Sequence, residues 1–252
     1  MRKLIFLGTA AAIPDVEHEN TQLALRDEQG VVLVDCSGSP LPRLARAGIT
    51  QDEVTDIILT HFHPDHVGGI PLLLMNMWLL GRKQSLRIYG LHHCLERVED
   101  MMGFFHWENW PQFFPVAFHR LPEQDSVLVL ERQGMRILAS TVRHVIPTIG
   151  LRIEIDGKPA LAYSCDTEPC AAVVDLAHGA PVLIHEATGE GVGHSSAGQA
   201  GEVAAEAGVA KLILAHYPVQ EDDVEIKLRQ EAGATFEGEI VVARDWQTID
   251  LV

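Results

Sequence analysis

The chain alternates short apolar runs with stretches of helical period. Runs of three to six residues rich in Val, Ile and Leu, bounded by Gly, Pro or Asp, predict strands. They fall at 3–7, 21–26, 31–35, 56–60, 86–89, 126–131, 135–140, 151–155, 160–164, 182–184, 211–215 and 240–243. Helices are predicted over 41–47, 67–80, 92–102, 168–178, 197–207 and 224–231. The clearest is 197–207, where Ala200, Val203, Ala204 and Ala207 share one face. Strand runs dominate each half, with helices between them, which suits two packed sheets with helices outside. No repeat, linker or low-complexity tract interrupts the pattern, so one domain over residues 1–252 is expected.

Composition narrows the function classes. Hydrophobic residues make up 47% of 252, enough for a sizeable core and too many for a disordered chain. Nineteen Lys and Arg stand against 35 Asp and Glu, a net charge of −16. Such a chain is a poor general binder of nucleic acid, because phosphate contacts need clustered basic residues. A polyanion would need local positive charge, and a metal is one source of it. The four cysteines have no C-x-x-C spacing and read as reduced thiols of a cytoplasmic protein. Arg2-Lys3 before Leu4-Ile5-Phe6-Leu7 looks superficially like a signal peptide, but four apolar residues read better as a first strand. The apolar stretch 67–80 is too short to span a bilayer, so no membrane partner is expected.

The chemistry is concentrated in Thr60-His61-Phe62-His63-Pro64-Asp65-His66, between a predicted strand and a predicted helix. Three imidazoles and a carboxylate so close are costly to bury without partners, and metal coordination supplies them. A solvated polar turn is the plain alternative. His144, Asp166 and His216 also stand where strands give way to loops. Taken singly, each is an ordinary loop residue. Taken together, they allow His61, His63 and His144 to complete one metal site and Asp65, His66 and His216 another, bridged by Asp166. Two ions about 3.5–4 Å apart can activate water and clamp a displaced oxyanion. The nitrogen and oxygen donors suit Zn2+, and also Mn2+ or Fe2+.

These residues resemble the metallo-β-lactamase superfamily, and more closely its ribonuclease Z branch. The resemblance covers nearly the whole chain: Phe6-Leu7-Gly8-Thr9, Val34-Asp35-Cys36, the H-x-H-x-D-H motif from His61 to His66, and the segment from Arg143 to Glu154. Tyr163-Ser164-Cys165-Asp166-Thr167 is similar to Y-S-G-D-T with Cys165 in place of glycine. His185-Glu186-Ala187-Thr188 matches H-E-A-T, Gly193-His194-Ser195-Ser196 resembles G-H-S-T, and Leu214-Ala215-His216 resembles the last metal motif. The resemblance implies an α/β four-layer αββα sandwich, two divalent ions and phosphodiester hydrolysis. It implies that Asp65 ligates a metal and acts as base. It also implies that His194 is the general acid, held by Glu186. Ser195 and Ser196 also look like an N-cap, a role that would aim the imidazole rather than compete with it. Asp35 is expected to be structural and His185 to pack.

Two departures bear on the substrate. His144 and Asp166 are 22 positions apart, and Ile155-Asp156-Gly157-Lys158-Pro159 is a mere turn. The flexible arm by which tRNA-processing members grip tRNA has no room there. Residues 14–20 are acidic where those members often carry a basic segment. A small or cyclic-nucleotide phosphodiester is therefore the expected substrate, with tRNA 3′-end processing the alternative and lactone, thioester or β-lactam hydrolysis a second. Phe104 to Phe114 forms an aromatic cluster that reads either as core packing or as a pocket wall that stacks on a base. Helix 67–80 is apolar on more than one face, as a homodimer interface would be.

Overall fold

The computed structural model describes residues 2–220 and 222–251; Met1, Glu221 and Val252 lie outside the described residues. The first sheet is built from β1 (Arg2–Gly8), β2 (Gln22–Asp27), β3 (Gly30–Val34), β4 (Val54–Ile58), β5 (Leu86–Leu91) and β6 (Val116–Leu121). The second contains β7 (Val127–Arg132), β8 (Met135–Val142), β9 (Thr148–Ile155), β10 (Lys158–Tyr163), β11 (Val182–Glu186), β12 (Lys211–Ala215) and β13 (Glu239–Val242). A last strand, β14 (Thr248–Leu251), returns to the first sheet beside β1. The orders are β14-β1-β2-β3-β4-β5-β6 and β13-β12-β11-β10-β9-β8-β7. In each sheet four strands pair antiparallel and the next three run parallel.

Side-chain alternation creates the layers. Leu4 and Phe6 of β1 and Ile213 of β12 enter the core between the sheets. Ile5 and Leu7 face the other way, onto α1 (Pro40–Arg46), α3 (Ile70–Leu79) and α4 (His92–Phe104), of which α3 follows the single turn α2 (Pro64–Val67). Leu212 and Leu214 face α5 (Ala171–Ala177), α6 (Ala197–Ala207) and α7 (Val224–Gly233). Strands covered on both faces are apolar throughout, which is why they read as continuous runs. The αββα sandwich expected from the sequence is thus the observed architecture. A buried ion-pair cluster also joins the layers. Arg132 of β7 reaches Asp27 at 2.9 Å and Asp56 at 3.3 Å on the first sheet, and Arg87 holds Asp56 at 2.7 Å.

Three elements differ from the sequence reading. The helix predicted over 67–80 is two, because the chain turns at Gly68-Gly69, where a Cβ on Gly69 would meet the Ser37 carbonyl oxygen at 2.8 Å. Strands β6 and β14 were not predicted. They are the two edge strands of the first sheet, and their exposed polar positions (His119 and Arg120; Thr248 and Asp250) break up the apolar signal. The β9–β10 connection is the short turn expected, Asp156-Gly157.

Candidate functional site

The candidate residues converge at one edge of the sandwich, where strands of both sheets end. Chain leaving β4 makes two cross-links before the motif begins. Leu59 N–H donates to Tyr89 at 2.8 Å, and the Thr60 carbonyl accepts from Ile149 of the second sheet at 3.2 Å. His61, His63, Asp65 and His66 then follow around α2, with Pro64 opening that turn. From the second sheet come His144 after β8, Asp166 after β10, Glu186 at the end of β11 and His216 after β12. Ligands outside the carboxyl ends of parallel strands are the common arrangement of α/β sheets. Three non-glycine residues here, Asp35, Cys165 and His216, have φ of 63°, 56° and 49°, a sparsely populated conformation that recurs at functional sites.

The donor atoms fall into the two sets expected. His61, His63, His144 and Asp166 each offer an atom within 4.8 Å of the others, as do Asp65, His66 and His216. Asp166 touches both sets: its carboxylate is 3.9 Å from His61 Nε2, and 3.5 Å from Nε2 of both His66 and His216. Asp65 lies 3.4 Å from His216 and 3.5 Å from His66.

Hydrogen bonds to the outer ring nitrogens fix which atoms face inward. His66 Nδ1–H donates to Asp35 at 2.8 Å, and His144 Nδ1–H donates to the Gly193 carbonyl at 2.6 Å. Thr60 Oγ1 gives its proton to Asp35 and so accepts from His61 Nδ1–H at 3.1 Å. Thr188 Oγ1 gives its proton to the His216 carbonyl and accepts from His216 Nδ1–H at 2.9 Å. Four imidazoles therefore turn Nε2 to one space, and His63 adds Nδ1, 3.0 Å from His61 and 3.2 Å from His144. A single proton on His63 Nδ1 can serve only one of these two contacts, whereas a cation among the nitrogens would satisfy all of them. His66 Nε2 and Asp166 Oδ1 are moreover buried without a hydrogen-bond partner. The donor set fits divalent metal.

Electrostatics separate the two sets. Burial pushes the pKa of His61, His63 and His144 down, with neighbouring imidazoles adding to the effect at His61 and His63. These rings are neutral and ready to coordinate. Burial also opposes charge at His66 and His216, but Asp166 together with Asp35 at His66, and with Asp65 at His216, overcomes it and raises both. Asp166 itself is held well below the usual carboxylate range, because His216, His66 and His61 overcome its burial.

His194 stands beside these groups, its ring centre 5.0 Å from that of His144. Its Nδ1 is 2.9 Å from Glu186 Oε1, and this hydrogen bond lifts its pKa above the usual histidine range. The same oxygen accepts from the Thr167 and Ser195 amides at 3.1 Å, so Glu186 is itself rigidly held. Ser196 caps α6 through a capping box with Gln199, which fixes the entry of the His194 loop. His185 is fully buried, with Nδ1 on its neighbour's carbonyl. Cys165 Sγ lies 3.7 Å from His61 Nδ1.

The aromatic cluster packs largely on itself. Trp78 stacks on Trp110 at 4.9 Å, Trp107 meets Phe113 and Phe118 edge-on, and the rings rest on the outer core of the first sheet. Phe104 and Phe105 are exposed. Sequence reasoning assigned no role to Thr60, Thr188 or Glu168, all of which hold site groups. Thr188 was visible within the H-E-A-T signature, whereas Glu168 carries no signal until its partners are seen.

Residues 31–217 match the family model described as the Beta-lactamase superfamily domain. A ribonuclease Z of Methanothermobacter thermautotrophicus is 32% identical over 304 positions, covering 100% of this chain and 97% of that protein. The alignment is longer than the 252 residues of this chain, so the relative carries segments absent here. The metallo-beta-lactamase fold protein YhfI from Bacillus subtilis superposes with a TM-score of 0.82 at 23% identity, covering 98% of each chain. The short form of human tRNase Z gives 0.77 at 23% identity, covering 99% of each. No helix among the described residues is long and apolar enough to cross a membrane. A β-lactamase-type fold, a matching donor set and a full-length ribonuclease Z relative meet in one chain, which belongs to the metallo-β-lactamase superfamily of metal-dependent hydrolases, in its ribonuclease Z-like branch.

Proposed function

We propose that this protein is a dinuclear-metal phosphodiesterase acting on a small or cyclic-nucleotide phosphodiester. His61, His63 and His144 would hold one ion, Asp65, His66 and His216 the other, with Asp166 shared; Zn2+ suits the donors best. When bound, the ions would supply Lewis acidity, neutralising phosphate charge and lowering the pKa of water. Asp65, between His66 and His216, takes a proton from the attacking water. His194 gives its Nε2 proton to the oxygen that leaves phosphorus, while Nδ1–H stays on Glu186. The observation that carries this reading is the Glu186–His194 contact of 2.9 Å beside the donor cluster. A departing alkoxide needs such a donor, and its place within the H-E-A-T and G-H-S-S motifs supports a phosphodiester over a lactone, thioester or β-lactam.

The two-residue Asp156-Gly157 turn and the acidic residues Asp15, Glu17 and Glu19 support a small substrate over tRNA. The ribonuclease Z relative favours precursor tRNA as the second reading. Values of kcat/KM for a cyclic nucleotide, bis(p-nitrophenyl) phosphate, precursor tRNA and a lactone, measured side by side, decide between them. The cyclic nucleotide or a similar small diester is expected to exceed precursor tRNA. Site-specific 3′ cleavage of precursor tRNA without activity on small diesters would overturn the proposal. The exposed Leu72 and Leu79 of α3 further support a homodimer.

A further inference from the structure

We infer that Glu168 is a positioning residue that sets the general acid and a metal ligand together, an inference that rests on His194 being the acid. Glu168 lies in the loop between Asp166 and α5, with only a quarter of its side chain exposed. One carboxylate oxygen, Oε1, accepts the Gly193 amide at 2.9 Å; the other, Oε2, pairs with Arg143 Nε at 2.9 Å. Its own amide donates to the Arg143 carbonyl at 2.7 Å. The two residues it grips are each the neighbour of a functional histidine: Gly193 precedes His194, and Arg143 precedes His144. The Gly193 carbonyl in turn receives His144 Nδ1–H at 2.6 Å.

The contacts close a ring. Glu186 holds His194; His194 follows Gly193; Gly193 is held by Glu168; Glu168 follows Thr167, whose amide returns to Glu186 at 3.1 Å. Gly193 has room for no more. At φ 81° it adopts a conformation that favours glycine, and a Cβ there would lie 2.7 Å from His144 Nδ1. With Gly193 pressed against His144 on one side and tethered by Glu168 on the other, the next residue has little freedom. Removing the tether leaves a glycine-rich stretch, Gly189 to Gly193, to hold the acid.

The test compares Glu168→Ala and Glu168→Gln with wild type at saturating Zn2+, using one diester with an alkoxide leaving group and one with p-nitrophenolate, which departs without a proton. For Glu168→Ala we expect kcat on the alkoxide substrate to fall about tenfold or more, while the p-nitrophenyl substrate changes by less than about threefold and KM holds. Chelator competition should show the weaker-bound Zn2+ released about tenfold more readily, a readout independent of turnover. Glu168→Gln retains an oxygen for the Gly193 amide and should recover most of both. Glu168→Asp, whose oxygens stop short of Gly193, replaces the alanine variant if that one does not fold. Equal losses on the two substrates, or no loss, with unchanged Zn2+ affinity would overturn the inference. His194→Ala is the reference: if it shows no leaving-group difference, the acid assignment fails, and Glu168 is judged on Zn2+ affinity alone.

Discussion

Asp35 Oδ2 takes a hydrogen bond from His66 Nδ1 at 2.8 Å, while Oδ1 of the same carboxylate accepts from the Thr60 amide, also at 2.8 Å. Under the proposed ligand set, this carboxylate would orient one ligand, His66, directly and, through Thr60, a second, His61. Asp35→Ala is expected to weaken metal binding about 10- to 100-fold with the fold intact. Asp166→Ala should instead lose both ions, because its carboxylate faces both donor sets. Elemental analysis of protein purified without chelator checks the contrast; full metal content in Asp166→Ala would refute the bridging role.

The hydrogen bond from His194 to Glu186 predicts the shape of a pH profile. Glu186 raises the pKa of His194, so the protonated donor persists above the usual histidine range and is lost as pH rises through that raised value. The alkaline limb of kcat, measured on a diester with an alkoxide leaving group, should therefore lie above the pH expected of a free imidazole. Glu186→Gln keeps the hydrogen-bond acceptor but removes the charge, and should move the limb to lower pH. A limb that stays in place would remove His194 from proton donation.

Arg132 makes a prediction about stability alone. It is the cation between buried Asp27 and Asp56, and its loss leaves Asp27 unpaired. Arg132→Ala should destabilise the protein by roughly 3–5 kcal/mol, the usual result of stripping one partner from a buried pair. Denaturant unfolding measures the change. A loss below about 1 kcal/mol would mean that the pair is screened as surface pairs are.

Much of this was legible in the residues, for definable reasons. Ala197 to Ala207 forms the predicted helix because its apolar face and its Ser196 cap agree. The candidate donors were legible because histidines at strand ends have few other uses, and the structure brings all seven to one edge of the sandwich. The partners that aim them were harder to see. The Gly193 carbonyl that receives His144 carries no side-chain signature, and Asp35 meets His66 from 31 positions away. The helix expected over 67–80 overran because its apolar residues keep their period across Gly68-Gly69. Only the close approach to Ser37 reveals the break.

That helix supplies the last prediction. Ile70, Leu73, Leu74 and Met77 of α3 are buried, while Leu72 and Leu79 on the opposite face are exposed. Leu72 and Met75 line an apolar groove with Pro71, Met101, Phe105 and Trp110. Covering this face with a second copy is the homodimer expected from the sequence. Light scattering at micromolar concentration should give twice the chain mass, and Leu72→Glu should reduce it to one. A monomer mass for the wild type would refute the dimer.

The split origin of the donors has a mechanical meaning. His61, His63, Asp65 and His66 hang from one sheet, and His144, Asp166 and His216 hang from the other. Any ion held by both groups clasps two folding layers that otherwise meet only through apolar contact and a few polar links. Its binding energy is then also adhesion between layers: an ion at one hundred times its dissociation constant adds about 2.7 kcal/mol against unfolding. Catalytic competence and cohesion of the sandwich would rise and fall together as metal becomes scarce. A cell short of metal would hold a looser protein as well as an idle one.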